Sequence, residues 1–411
     1  MTAGRERSPL LPLWPAGLVG AVLIVGILRI ITPEYDVRPY KWDSFYYFDM
    51  AARGLSGNDQ LRAPFAYRVV TPWLARQLAG ALRLPLEEGF RILAYVGGVA
   101  QLVLALQLAR SVSRSRWAAM VTALVVALSL FNVRFLLFDP YRPDVLGYPL
   151  FLGAALALVR GRLAACYLVA AGGLFVREFM IVPLLALLDH VWRTPRENRV
   201  VPIGVWAWLV GLAVVAGLWL PRQMIPVAPS LTDPTHSDSL RTLLLSPFSF
   251  WRDVNMAYAA AAYLLPTLAL ANAKRLGAAW RALAPYRRLL LVYTALVLIL
   301  AMYGGTDLPR FMAYLVVPQT LLLAGMLGQG IHRLEVSVAL VLTAMFNRVF
   351  VVSLPSEPSV EFLLDFYSGY ADRVNLVTMW RAGELIGSLL LVRLVRHWLA
   401  RGAVPSQVSS A

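Results

Sequence analysis

Apolar runs of about 15–20 residues, each close to the length that spans a bilayer as a helix, recur along the whole chain and are separated by polar loops. They lie near 15–32, 90–109, 117–137, 145–159, 163–176, 179–192, 201–220, 255–273, 289–303, 311–328, 334–353 and 378–395. The runs at 163–176 and 179–192 are short and are split by Arg177 and Glu178, so they read either as thin tilted spans or as a re-entrant pair. Residues 33–89 break the pattern: this stretch is polar and aromatic, with amphipathic periodicity over 43–54 and 66–82. The pattern predicts an all-α polytopic transmembrane bundle of about 12 spans. It forms one transmembrane domain over 1–400, with 33–89 as a first extracytoplasmic loop carrying amphipathic juxtamembrane helices and 401–411 as a flexible cytoplasmic tail. No small-residue cleavage site follows the first run, which is therefore expected to be a retained span.

The loops alternate in charge. Arg110, Arg114 and Arg116, then Arg160 and Arg162, then Arg193, Arg196 and Arg199 follow even-numbered runs. So do Lys274, Arg275, Arg281, Arg287 and Arg288, then Arg333, then Arg396 and Arg401. Loops with Asp139 and Asp144, Asp233 and Asp238, Asp307, and Glu357 and Glu361 follow odd-numbered runs. Short Arg-rich loops stay in the cytoplasm. Both termini are therefore expected inside, with the acidic loops facing the periplasm or cell exterior. Only 15% of residues are charged and 59% are hydrophobic, far from a soluble domain. The net charge of +15 would suggest nucleic acid in a soluble protein, but here the positive-inside rule accounts for it and no nucleic-acid partner is expected. Among the cations only Lys41 and Lys274 are lysines. With abundant Ala and Leu, that skew points to a GC-rich bacterial genome and hence to a bacterial inner membrane. The lone Cys166 reads as a small buried hydrophobe.

Ionisable groups at membrane depth are costly and usually face a cavity. The candidates gather on the outer side. Trp42-Asp43-Ser44-Phe45-Tyr46-Tyr47-Phe48-Asp49 opens the first outer loop. Asp43 suits the N-cap of an interfacial helix, or a general base whose apolar and aromatic neighbours desolvate it and raise its pKa. Asp49, six positions on and about 240° around a helix, ranks second because it does not share that face. Arg68, in Pro64-Phe65-Ala66-Tyr67-Arg68, reads either as a snorkelling side chain or as a lipid-phosphate ligand. Asp139, Arg142 and Asp144 crowd one Pro-ridged loop, Arg177-Glu178 reads as a local neutralising pair, and Asp307-Leu308-Pro309-Arg310 is a further short outer loop. The planar fork of an Arg holds two phosphate oxygens at once. Catalytic candidates are thus Asp43, Asp49 and Asp144; substrate-binding candidates are Tyr46, Tyr47, Arg68, Asp139, Arg142, Arg177, Glu178, Asp307 and Arg310. The chain contains neither a P-loop nor a Gly-x-Ser-x-Gly motif, and His190, His236, His332 and His397 are scattered over both sides.

Taken with the first-loop stretch Trp42-Asp43-Ser44-Phe45-Tyr46-Tyr47 and Pro64-Phe65-Ala66-Tyr67-Arg68-Val69-Val70-Thr71-Pro72, this layout resembles the GT-C class of integral membrane glycosyltransferases. The resemblance implies a polyprenyl-phosphate-linked sugar as donor and a glycan, lipid or protein as acceptor. It further implies Asp43 as the catalytic acid/base and arginines around a lipid phosphate. Ser44 stands where many members carry a second acid, and the soluble C-terminal domain that many of them have is not expected here. A divalent cation, Mg or Mn, held by Asp43 with Asp139 or Asp144 is an open option. A secondary transporter or lipid flippase is the alternative, for which Asp189, Glu335 and Glu384 in or near spans would serve.

Overall fold

In lipid a chain must satisfy its own backbone polar groups, and helices do this within one segment. The computed structural model describes residues 13–32, 34, 43–113, 115–195, 197, 200–225, 227, 250–303, 308–348 and 376–402. Among these residues the architecture is all-helical, without a β-strand. In chain order the helices begin α1 (Leu13–Ile30), α2 (Asp43–Arg53), α3 (Val70–Leu82), α4 (Leu86–Val112), α5 (Arg116–Leu128) and α6 (Phe135–Phe138). They continue with α7 (Asp144–Val159), α8 (Leu163–Gly173), α9 (Ile181–Arg193), α10 (Ile203–Val214), α11 (Leu220–Met224), α12 (Phe250–Tyr263) and α13 (Leu265–Leu270). The last are α14 (Ala273–Ala282), α15 (Arg287–Met302), α16 (Leu308–Met312), α17 (Val316–Leu327), α18 (Arg333–Phe346) and α19 (Leu376–Gly402).

Among the described residues, four helical segments are long and apolar enough to cross a membrane: Leu86–Val112, Ile203–Met224, Ala284–Met302 and Arg310–Leu327. A fifth joins them if Arg116–Leu128 and Phe131–Phe138 count as one span bent by 54°. Shorter apolar helices at Pro15–Ile30, Asp144–Val159 and Leu163–Gly173 accompany them. The run expected as a straight span over 117–137 is instead broken at Ser129, where the backbone passes into a π-helical turn over Leu130–Arg134. The run at 255–273 is likewise divided between α12 and α13, with Pro266 in the first turn of the second piece. The amphipathic stretches expected after the first span are α2 and α3, separated by a 3-10 turn over Phe65–Tyr67. The expected tail at 401–411 begins inside helix α19, and positions 403–411 lie outside the described residues.

Helix α4 is the central post and packs against α1, α3, α5, α7 and α17. Two of its glycines allow backbone-to-backbone contact. A Cβ on Gly97 would stand 2.0 Å from the Val145 carbonyl oxygen, and one on Gly89 would stand 2.2 Å from that of Ala75. The first contact fixes α7, and with it the loop before α7, against the middle of α4. Helix α17 is buried along nearly its whole length. Arginines close several helix C-termini: Arg252 donates to the Ala301 carbonyl at 3.0 Å, Arg381 to that of Phe346 at 2.6 Å, and the buried Arg134 to that of Arg348. Such cations satisfy orphan carbonyls and complement the helix dipole.

Gly97→Ala is expected to destabilise the protein by about 1–3 kcal/mol through overpacking against a carbonyl that cannot rotate away. Gly20→Ala, where an added Cβ meets nothing within 4 Å, is expected to be neutral or slightly stabilising. Thermal melts of the two variants side by side check both.

Candidate functional site

The acidic and basic candidates sit on segments far apart in sequence, and the fold brings several of them together at one end of the bundle. Asp43 and Asp144 each open a helix, α2 and α7, where a carboxylate meets the positive end of the helix dipole. Around Asp43 the geometry is convergent. Its Oδ2 accepts from Arg142 Nη1 at 3.0 Å and from Arg310 Nη1 and Nη2 at 3.5 and 3.4 Å. Arg142 is oriented from behind, its Nε donating to Asp139 Oδ2 at 2.6 Å. Ser44 Oγ donates to that same oxygen at 2.6 Å. Asp139 thus fixes Arg142 and the first turn of α2 at once. The Tyr148 hydroxyl donates to the Arg310 carbonyl at 3.1 Å, anchoring the third side.

A second group lies beside the first on α2, the 3-10 turn and the α8–α9 connection. Arg68 Nε reaches both Glu178 oxygens at 3.0 and 3.1 Å, and its Nη1 donates to the Tyr47 hydroxyl at 2.6 Å. Arg177 and Glu178, expected to neutralise each other locally, turn apart. Glu178 takes Arg68, while Arg177 Nε lies 3.2 Å from Asp144 Oδ1. Tyr314 also donates to Asp144 Oδ1, at 3.0 Å. This contact needs Gly147, because a Cβ there would stand 2.7 Å from the Tyr314 hydroxyl. The rings of Phe179 and Tyr314 stack at 4.3 Å, and Phe311 carries both Arg177 and Arg310 within 6 Å of its centroid.

Burial pushes the Glu178 carboxyl up, but the Arg68 and Arg177 guanidiniums outweigh it and hold the group down at about 2. Burial raises the Tyr47 phenol to about 12 despite the same two cations, so it remains a neutral hydroxyl. Hydrogen-bonding capacity is left over. Among the described residues the three Arg177 nitrogens, Asp139 Oδ1 and Asp144 Oδ2 are buried and make no hydrogen bond.

Burial separates Asp43, a catalytic candidate, from Asp144, another, and from Asp139, a substrate-binding candidate. The Asp43 side chain is 32% exposed, whereas Asp139 and Asp144 are at 0%. Asp43 can therefore meet a substrate, and the other two act on neighbouring arginines. The expected apolar setting of Asp43 is not what the fold supplies, since two guanidiniums face it. Asp49 stays out of the cluster: its oxygens accept from Arg53 and Asn58, closing the turn after α2. Tyr46 stacks on Phe65 at 5.1 Å. Asp307 lies outside the described residues. Ser44, Gly147, Tyr148 and Tyr314 were not expected here; Ser44 alone had a signal, its place beside Asp43. No group of three or more His, Cys, Asp or Glu among the described residues is placed to hold a metal ion. The candidate carboxylates face guanidiniums, a setting that does not fit a divalent cation.

Glu178→Gln is expected to lower the melting temperature at neutral pH by about 3 °C or more, the scale of a lost buried ion pair. A depressed carboxylate stabilises above its unfolded value near 4.5 and loses that contribution as pH falls toward about 2, so the gap between wild type and variant should close over that window. Melting curves across pH test it. In a second cycle, Gly147→Ala should cost stability that Tyr314→Phe in the same chain restores in part, since the removed hydroxyl is the clashing atom. Strictly additive losses would contradict the contact.

No family model matches the chain, and no curated protein matches it in sequence. Among solved structures, that of ArnT from Cupriavidus metallidurans bound to undecaprenyl phosphate matches with a TM-score of 0.50 at 14% identity. The match covers 94% of this chain and 72% of that one. At this identity the likeness is one of fold. Over its described residues the chain is an all-helical membrane protein with a GT-C-like fold.

Proposed function

We propose that the chain is a membrane glycosyltransferase that moves a sugar from a polyprenyl-phosphate donor to an acceptor hydroxyl on the extracytoplasmic side. One observation carries the reading: a part-exposed carboxylate, Asp43, is met at one oxygen by two buried guanidiniums, Arg142 from the loop before α7 and Arg310 from α16, 99 and 267 positions away. The same carboxylate is a base for a hydroxyl, and the same arginines are ligands for a phosphate. The neighbour's bound undecaprenyl phosphate supports the donor class at the level of the fold.

In this reading Asp43 takes the acceptor hydroxyl proton while that oxygen attacks the anomeric carbon. The bond from that carbon to the phosphate oxygen breaks, and its electron pair leaves with the lipid phosphate. Arg142 and Arg310 stabilise the negative charge that develops there, and Arg177 adds buried donors not used within the protein. A single displacement inverts the anomeric centre. Asp139 and Ser44 position Arg142, and Tyr314 with Asp144 positions Arg177. The carboxylates that a transporter would use are engaged elsewhere. Asp189 pairs with Arg193 and Arg288, Glu335 with Arg275 and Arg396, and Glu384 with Arg348 and Arg381.

The test is transfer of labelled sugar from a panel of polyprenyl-phosphate donors by the protein in nanodiscs, with total membrane lipid as acceptor. Asp43→Asn is expected to lower kcat by about 10²–10⁴-fold, the contribution of a positioned general base. Arg310→Lys should also lose activity, since a point charge does not replace the planar fork. Transfer at full rate by Asp43→Asn would remove the assigned base, and no transfer with any donor would remove the enzyme reading.

A further inference from the structure

At the end of the bundle away from the site, helix α14 is capped by Asn272, whose Oδ1 accepts from the Arg275 amide at 2.8 Å. Two contacts fix its rotation. Ala279 is fully buried against α17, where a Cβ on Gly325 would lie 3.3 Å from it. Arg275 turns inward to both oxygens of Glu335 at 2.6 and 2.7 Å, and Arg396 reaches the same carboxylate at 2.7 Å. At about 100° per residue the rest of the helix then has no choice. Leu276 and Trp280, one turn apart, stand on a second face and are 41% and 37% exposed. Lys274 and Arg281, two turns apart, stand together on a third and are exposed.

Neither Lys274 nor Arg281 makes an ion pair or hydrogen bond among the described residues. The carboxylates packed at this end, Asp189 and Glu335, are each engaged by two arginines. Arg287 lies over the Trp280 ring at 5.2 Å, and Trp192 and Arg193 are exposed nearby on α9, which Arg288 joins through Asp189. A helix with one face on protein, one apolar with an indole and one cationic without counter-charge suits the plane between acyl chains and headgroups.

We propose that α14 is an anchor for anionic phospholipid, with Leu276 and Trp280 at acyl depth and Lys274 and Arg281 on the phosphates of lipids that carry net negative charge. This surface is remote from Asp43 and does not depend on the glycosyltransferase reading. The test uses the full chain in nanodiscs of mixed phosphatidylcholine and phosphatidylglycerol, with retained lipids counted by native mass spectrometry. Wild type is expected to retain phosphatidylglycerol preferentially. Lys274→Gln with Arg281→Gln should reduce that preference by roughly thirtyfold, the scale of two surface charges near anionic lipid. If the double variant does not fold, each single variant should show a smaller loss of the same sign. Arg76→Gln with Arg83→Gln, two exposed cations on α3 and at its C-cap, is the control and should leave the preference intact. An unchanged preference in the α14 variants, or an equal loss in the control, would overturn the proposal.

Discussion

The pairing of buried guanidiniums with buried and half-buried carboxylates governs this molecule. A lone charge taken out of water costs several kcal/mol, so each buried arginine at this end of the bundle must find an acid there. Asp43, Asp139, Asp144 and Glu178 meet Arg142, Arg310, Arg177 and Arg68, and the two sets balance in charge. Because a guanidinium donates in fixed directions, the pairs also fix orientation. Asp139 shows this best: one of its oxygens holds both the first turn of α2 and the rear of Arg142. The neighbouring loops follow from these contacts.

Helix packing makes the pairing possible. Gly97 lets the start of α7 press on the middle of α4, which sets the depth of the Asp139–Asp144 loop. The break at Ser129 turns the chain into that loop from the other side. Buried donors and acceptors left over in this region give the cluster capacity to bind something beyond itself. Such capacity is what the proposed lipid-phosphate site requires.

Much of this was written plainly in the sequence. Apolar runs gave the helices, and alternation of 43–54 and 66–82 gave α2 and α3 to within a few residues. Asp43, Arg142 and Arg310 could be placed at one end by charge alone. Partner choice could not be read. Arg177 and Glu178 are adjacent in sequence, yet their side chains serve different partners, because the short turn between α8 and α9 points them apart. Tyr314 gave no signal either: in an apolar run a tyrosine looks like packing, and its role rests on Gly147, far from it in sequence. The bend at Ser129 was hidden because a π-helical turn keeps the same hydropathy as the helix around it. Short helices such as α8 and α9 leave a hydropathy-based span count without a length criterion to rest on.

The separation of the partners along the chain bears on how the protein is made. Synthesis delivers the N-terminal helices first. Asp43 emerges early, Arg142 follows 99 positions later, and Arg310 only after 267. During most of translation the carboxylate has only part of its final company, and the cluster closes when α16 joins the bundle. A chain that stops short of α16 would carry α2 and its acid without the second cation, so assembly of this corner reports that the polypeptide has been made at least as far as Met312.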